Sequence, residues 1–470
     1  KVFPAIFRAS GDYKLPIFIY SGIPSVAVFG LTEFAVRLPS TLAGIISVWL
    51  VYLIVKKLFQ KESLALISSF IAAVTPWLIY FSRGAWEVNV SLTLTLAGIY
   101  FFLKFMEKER YIIHSIIFFA LTLVCYQGAK LSTGIVVLLL TAFYFKKVVK
   151  IQPKKVIISV ILGLLISSPI LLSLVNGQSG RLEVFSVFSY RRPAEYLKAI
   201  LDQGNEKVGN ISYYLFHSEV LNFKRGILGR YFNHFSGRFL FFEGDWSNPR
   251  HSAPYSGMLL LSDIVLLLAG IYTLVRSKLS KEHWFIIIWI ILAPLPSILY
   301  RDQVHAVRSM NMAIPLIVVL SFGLTHVLEE AARNKFKIIL YLLGGGIYLI
   351  GFLYFIDAYF VHVSKHDSQL WEYGYKQVVE IVTPIQKNYK TIKIQQSFAQ
   401  PYIYFLFYGG DGHTQGYDPS KYQKNATLTV ADSVKDVGYV AQIDNIKFVP
   451  IDWSVNRGER GTLFVADSIR

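Results

Sequence analysis

Three stretches of the chain carry charged and imidazole side chains at spacings that could do chemistry on an anion. The first holds Asp12, Lys14, Glu33 and Arg37; the second runs from His234 through Arg238, Glu243, Asp245 and Arg250 to His251; the third is Asp302, His305 and Arg308. A lysine ammonium is a point charge and an arginine guanidinium a planar fork of donors, so Lys14 and Arg37 suit a phosphate. Lys14 stands just before the apolar run Pro16 to Phe29 and Arg37 at the mouth of a longer one from Leu38. A phosphate bound there could keep its apolar tail in a bilayer; snorkelling that merely anchors the helix is the competing reading. In the third stretch a spacing of three puts Asp302, His305 and Arg308 on one face if the segment is helical. Arg308 would then neutralise a leaving phosphate, His305 donate a hydrogen bond and Asp302 hold the imidazole tautomer, against the alternative of a structural ion pair capping the next span. The second stretch mixes histidines with carboxylates as a metal site does, but at loose spacing; a polar loop shaping an acceptor pocket is the other reading. No phosphate-cradling glycine motif, zinc-helix signature or nucleophile elbow occurs, so nucleotide hydrolysis and peptidase chemistry have no support.

The elements that must position these residues are membrane helices. Over 470 residues the chain is 54% hydrophobic with a mean hydropathy of +0.45, and the apolar residues come in long blocks nearly free of charge. Such blocks predict about ten spans, near 38–55, 63–81, 88–103, 112–127, 131–145, 156–175, 257–275, 284–300, 310–327 and 338–357. The net charge of +17 sits largely in alternate short loops, among them Lys56, Lys57 and Lys61, then Lys146, Lys147 and Lys150. That pattern is topological and gives no reason to invoke nucleic acid. By the positive-inside rule those loops are cytoplasmic, which puts 1–37, 82–87, 176–256, 301–309 and 358–470 outside. All three chemical stretches then share one face. Pro76, Pro169, Pro294, Pro296 and Pro315 lie near span ends on that face, where they kink helices or serve as ordinary end residues.

The long loop 176–256 alternates Arg191, Arg192, Lys224, Arg225, Arg230 and Arg238 with aromatics, as suits a headgroup surface or an anionic ligand; a solvated basic surface is the plain alternative. After Asp357 the chain turns polar, with helices expected at 368–386 and 401–408 and strands near 391–396, 426–430 and 446–450. The expected division is a membrane domain, 1–357, and an extracytoplasmic α/β domain, 358–470. The single Cys125 falls in an expected span and excludes an intrachain disulfide.

Taken together, Gly11-Asp-Tyr-Lys-Leu-Pro16, Phe29-Gly-Leu-Thr-Glu-Phe-Ala-Val-Arg-Leu-Pro-Ser40, Thr75-Pro-Trp-Leu-Ile-Tyr-Phe-Ser-Arg-Gly-Ala85 and Asp302-Gln-Val-His-Ala-Val-Arg-Ser309 resemble the GT-C glycosyltransferases. The chain looks most like the bacterial relatives of the dolichyl-phosphate-mannose protein mannosyltransferases and the lipid A aminoarabinose transferases, over about residues 1–360. The resemblance implies an α-helical polytopic membrane protein of the bacterial plasma membrane. It would move a sugar from a polyprenyl-phosphate donor to a hydroxyl on a lipid, glycan or protein at the extracytoplasmic face. Lys14 matches the lysine of a Lys-Pro-Pro-like motif that contacts the donor phosphate, although Leu15 departs from that motif. Arg37, Arg83 and Arg308 are carried over as further phosphate ligands because they flank the same external cavity; Asp302, His305, His234, Arg238 and His251, read from the residues themselves, are the expected pocket residues. The family's base is an Asp shortly after the first span, which is expected upstream of Lys1; within this sequence Asp12 is the acid nearest that place. Phosphate leaves readily, so the chemistry requires no metal, and a divalent cation is compatible with it. Transport of an anionic lipid, or glycan binding without catalysis, are the rival functions; transport predicts charges at depth in several spans, and none is evident.

Overall fold

The computed structural model describes residues 7–9, 12–175, 187–189, 191–395, 400–409, 426–429 and 439–466. They form two compact units, one within Ser40–Asp367 and the other drawing on Lys1–Pro39 and Ser368–Arg470. The expected boundary at 357/358 therefore moves ten residues on, because the last membrane helix, Lys337–Asp357, runs through a wider turn to His366. The N-terminal residues group with the C-terminal ones rather than with the membrane helices.

The ten apolar runs fold largely as helix. Among the described residues six helices are long and apolar enough to cross a bilayer: Glu33–Phe59, Glu87–Phe105, Pro153–Ile170, Lys281–Ile298, Met310–Arg333 and Lys337–His366. A seventh forms if the pair Glu62–Val74 and Pro76–Arg83, bent by 54°, counts as one span. Pro76 causes this bend: it has no N–H to continue the preceding ladder and sits naturally as a first helical residue. The helices Tyr111–Leu123, Ala129–Phe143 and Asp263–Arg276 have 13, 15 and 14 residues, short of the roughly 20 that span the hydrocarbon.

Helices in lipid associate through close packing of small residues rather than through water exclusion. Gly270 and Gly323 face each other where Asp263–Arg276 crosses Ala313–Arg333. A Cβ on Gly323 would lie 1.9 Å from the Leu266 carbonyl oxygen, and one on Gly270 would lie 2.1 Å from that of Val319. Ser115 Oγ donates to the Gly98 carbonyl at 2.8 Å, joining Tyr111–Leu123 to Glu87–Phe105. Asn89 Nδ2 donates to the Ser40 carbonyl at 2.7 Å, tying Glu87–Phe105 to Glu33–Phe59.

In the second unit, strands β1 (Phe7–Ala9) and β2 (Asp12–Lys14) make an antiparallel hairpin that leads into the apolar helix Pro16–Phe29. The C-terminal part is a five-stranded mixed sheet in the order β4 (Ala426–Thr429), β5 (Tyr439–Ile443), β6 (Ile446–Val449), β3 (Thr391–Gln395), β7 (Thr462–Val465). Strand β3 runs parallel to both its neighbours, and its buried Ile392 and Ile394 alternate with half-buried residues. They pack with Val379, Val382 and Phe405 from the helices Tyr375–Ile385 and Tyr402–Tyr408. The α/β expectation holds, with the first helix starting later than expected and β5 and β7 added.

One polar tie inside this unit joins residues far apart in sequence: Tyr408 O–H donates to Glu33 Oε1 at 2.7 Å, with Lys376 Nζ 3.5 Å from the same oxygen. The Glu33 charge and burial push the Tyr408 phenol above its ordinary range, so it stays a donor at any physiological pH. Tyr408→Phe should cost about 1 kcal/mol, the usual net value of one such bond. Thermal unfolding followed by intrinsic fluorescence reads this, and an unchanged midpoint would count against the tie.

Candidate functional site

The bent helix Pro76–Arg83 is the bracket on which the site is built. Trp77 Nε1–H donates to the Ala306 carbonyl at 3.2 Å, and Tyr80 O–H to the Arg250 carbonyl at 3.0 Å. A single short helix thus grips both the 301–309 loop and the turn Pro249–His251. Trp86 adds the edge of its ring to His251 at 5.5 Å.

Between these grips lies Asp245, fully buried. Its Oδ2 accepts from the Ala306 N–H at 2.7 Å and from His251 Nδ1 at 2.8 Å; its Oδ1 accepts from the Asn248 N–H at 3.0 Å. A carboxylate accepts only, so His251 carries its proton on Nδ1 and turns the Nε2 lone pair away from Asp245. The His251 and His305 rings stack at 5.0 Å, and His305 Nδ1 is a buried nitrogen without a hydrogen-bond partner. Asp245, His251 and His305 each offer one ligand atom, all within 4.8 Å of one another. Two imidazoles and a carboxylate in a buried pocket fit a divalent cation such as zinc, and the unpartnered His305 nitrogen is the atom such an ion would satisfy.

His234 supports the group from below. Its Nδ1–H donates to the Arg230 carbonyl at 2.7 Å, leaving Nε2 to accept from Ser297 Oγ at 2.7 Å and from the His305 N–H at 3.3 Å. Burial lowers the His234 imidazole from its ordinary range and holds His305 well below it, with the Arg308 guanidinium nearby acting in the same direction. In the metal-free chain both are neutral. The unfolded chain takes up protons near pH 6.5 that the folded one refuses, so stability is full above that pH and falls as pH drops through it. Unfolding midpoints in detergent at pH 7.5 and 5.5 should differ in that direction, and His234→Gln should shrink the difference.

The site residues expected from sequence are only partly gathered. His234, His251 and His305 converge. Asp302 does not hold His305: the 301–309 segment is a run of bends and turns rather than a helix, so the spacing of three does not align them. Asp302 Oδ2 instead accepts from Asn248 Nδ2 at 3.2 Å, and the carboxylate beside an imidazole is Asp245. Arg238 points away, exposed, paired with Glu243 at 2.6 Å and stacked 4.3 Å over Trp246. Arg308 stacks 3.9 Å over the Tyr300 ring and lines a cleft with Ser91, Tyr126, Ser132 and Asn311. Its buried Nε lacks a hydrogen-bond partner. Arg83 is exposed, over the rings of Tyr359 and Phe360 at 5.1 and 4.2 Å. Lys14 and Arg37 belong to the other unit. The backbone of Asp12 is in β2, and its side chain lies outside the described set.

Fold and site together define a polytopic α-helical membrane protein with a C-terminal α/β unit and a buried polar cluster between two loops. Residues 16–172, about a third of the chain, match the family profile described as dolichyl-phosphate-mannose-protein mannosyltransferase. That segment contains Arg37 and Arg83 and begins just after Lys14. Among solved structures, ArnT from Cupriavidus metallidurans bound to undecaprenyl phosphate has the same fold. Its TM-score is 0.50 at 11% identity, over 92% of this chain and 79% of that one. The apo form of the same protein scores 0.48 at 12% identity, over 84% and 74%. The Archaeoglobus fulgidus oligosaccharyltransferase, tethered to an acceptor peptide with an NVT sequon, scores 0.45 at 12% identity. There the match takes 87% of this chain but only 55% of the oligosaccharyltransferase, about half its length. No curated protein sequence matches the chain.

Proposed function

We propose that the chain is a membrane glycosyltransferase. It would take a sugar from a polyprenyl-phosphate donor, a lipid of the kind present in the ArnT complex, and transfer it to a hydroxyl on a lipid, glycan or protein at the extracytoplasmic face of a bacterial plasma membrane. The observation that carries this reading is the convergence of two loops, 234–251 and 301–309, into a buried polar cluster held by one bent helix, with Arg308 set in a cleft beside it.

The reaction makes two demands on the residues. The acceptor oxygen forms a bond to the anomeric carbon while the carbon–oxygen bond to phosphate breaks, and the phosphate departs with the electron pair. Cations must meet that charge. Arg308, stiffened by its stack on Tyr300, is proposed for this role with Lys14, Arg37 and Arg83. The acceptor hydroxyl must also lose its proton to a carboxylate, for which Asp12 is the candidate in this chain. A divalent ion on Asp245, His251 and His305 would supply further positive charge, although phosphate is a sufficient leaving group without it. Asp302 and Arg238 are proposed to shape the pocket rim.

Transfer of radiolabel from a polyprenyl-phosphate sugar, assayed in membranes carrying the protein, tests the proposal. Absence of label from every lipid, glycan and protein fraction, with the fold intact, would overturn it. Arg308→Ala and Lys14→Ala should each lower donor affinity by about 10- to 100-fold, the value of one charge-assisted contact. Lys130→Ala, whose ammonium bonds Gln127 at 2.8 Å, should change it little; equal losses at all three would refute the assignment.

A further inference from the structure

The segment 211–233 presents a surface that neither the proposed reaction nor the packing of the unit uses. Its helix Glu219–Asn233 begins at Ser218, whose Oγ accepts from the Leu221 N–H, and one side faces inward. Phe223 meets Phe188 edge to face, Arg230 donates to the Arg301 carbonyl, and Asn233 Nδ2 reaches Gln303. At the border between this side and the exposed one, Tyr231 O–H donates to the Ile291 carbonyl at 3.0 Å. Ile291 belongs to the candidate span Lys281–Ile298, seven residues before its end. At about 1.5 Å per residue, the helix therefore rests roughly 10 Å inside the end of that span.

The opposite side carries Val220, Lys224, Leu228 and Phe232 at intervals of four, with Arg225 beside Lys224. Val220, Leu228 and Phe232 are 63, 55 and 65% exposed. Tyr214, Leu215 and Phe216 continue the apolar surface just upstream and are exposed as well. A helix face in water does not gather three large apolar residues in one row, and a face in hydrocarbon does not carry two cations at its middle. The boundary between the two media accepts both, with apolar groups in the acyl region and the cations at the headgroups. No Asp or Glu stands on this face. The nearby Glu219 is turned to Arg192 at 2.8 Å and Glu206 to His217 at 3.3 Å.

We propose that residues 211–233 form an in-plane element that docks on the bilayer surface and selects anionic lipid headgroups through Lys224 and Arg225. The loop follows the candidate span Pro153–Ile170 and precedes the apolar helix Asp263–Arg276, so the surface it needs is close at hand.

The test uses the full chain, reconstituted in vesicles of phosphatidylcholine with or without phosphatidylglycerol. Cys125 is fully buried, so the substitution Leu228→Cys provides a position for an environment-sensitive fluorophore. Blue-shifted emission that is quenched by spin-labelled lipid, more strongly with phosphatidylglycerol present, is expected. Lys224→Gln and Arg225→Gln should each reduce the docked-to-free ratio by about fivefold in the anionic vesicles, and both residues are exposed, so the fold is spared. Emission of an aqueous label open to iodide in both vesicle types would overturn the proposal. So would lipid quenching indifferent to phosphatidylglycerol, or energy transfer between labelled copies showing that a second chain covers the face.

Discussion

Asp245→Ala is expected to lose about 3–5 kcal/mol of stability, the range seen when one partner of a buried, hydrogen-bonded charge set is removed. Four donors, the Ala306 N–H, the Asn248 N–H, the Asn248 Nδ2–H and His251 Nδ1–H, converge on the two carboxylate oxygens. With the carboxylate gone they are left inside the protein without an acceptor, and each uncompensated group is costly. Even Asp245→Asn should cost about 1–3 kcal/mol, because the amide must turn an NH₂ toward one of these donors. Thermal unfolding in detergent measures the loss, and hydrogen exchange at Ala306 localises it. A variant with wild-type stability and a protected Ala306 amide would show that the cluster is not what holds the two loops together. Zinc uptake in a chelator-buffered titration gives a separate readout. The wild-type chain should bind the ion and His305→Ala should not, whereas a wild-type chain that takes up none removes the metal reading and leaves the stability prediction standing.

Gly323→Val should be the second severe substitution, costing about 3 kcal/mol, the upper part of the usual overpacking range. The obstacle is backbone: the Leu266 carbonyl oxygen 1.9 Å from the new Cβ and the Gly270 nitrogen at 2.8 Å. Neither can rotate aside, so the helices Asp263–Arg276 and Ala313–Arg333 must separate. The second of these follows directly on Arg308 and the short turn Met310–Met312, so the displacement reaches the cleft as well. Gly344→Val is the control, since a Cβ there meets nothing within 4 Å. Comparable loss in both variants would mean that valine is disfavoured in these helices generally and that the crossing is not special.

The parts of the fold that follow from local pattern were legible in the sequence. Apolar runs became helices, Pro76 became a bend, and the polar tail became an α/β unit. Where each helix ends was not, because a run of apolar residues includes turn residues such as Val124 and Cys125 that end the helix early. Among site residues, histidines and arginines stood out by charge in otherwise apolar surroundings. Their convergence did not, since Asp245 and His305 are 60 positions apart and come together through contacts between their loops, the Ala306 N–H bond to Asp245 and the bracket of Trp77 and Tyr80 among them. Asp302 was closer in sequence to His305 and was the natural partner on spacing alone. Tyr300, Ser297 and Asn248 carry no charge and gave no signal; the Asp245-Trp-Ser-Asn248 turn, in which the Asn248 N–H caps the Asp245 carboxylate, is the local pattern that could have shown that carboxylate to be committed.

The shortness of the hairpin Tyr111–Leu123 and Ala129–Phe143 bears on the lipid as well as on the count of spans. Helices of 13 and 15 residues rise only about 20–22 Å, against roughly 30 Å of hydrocarbon. Such a hydrophobic mismatch is relieved by local thinning of the bilayer or by drawing headgroups and water down beside the helix ends. The turn between the two helices contains Tyr126, and Tyr126 and Ser132 share their cleft with Arg308. Under the proposed function, a thinner bilayer beside these two helices would bring the headgroup plane nearer the Arg308 guanidinium, so donor affinity is expected to vary with bilayer thickness.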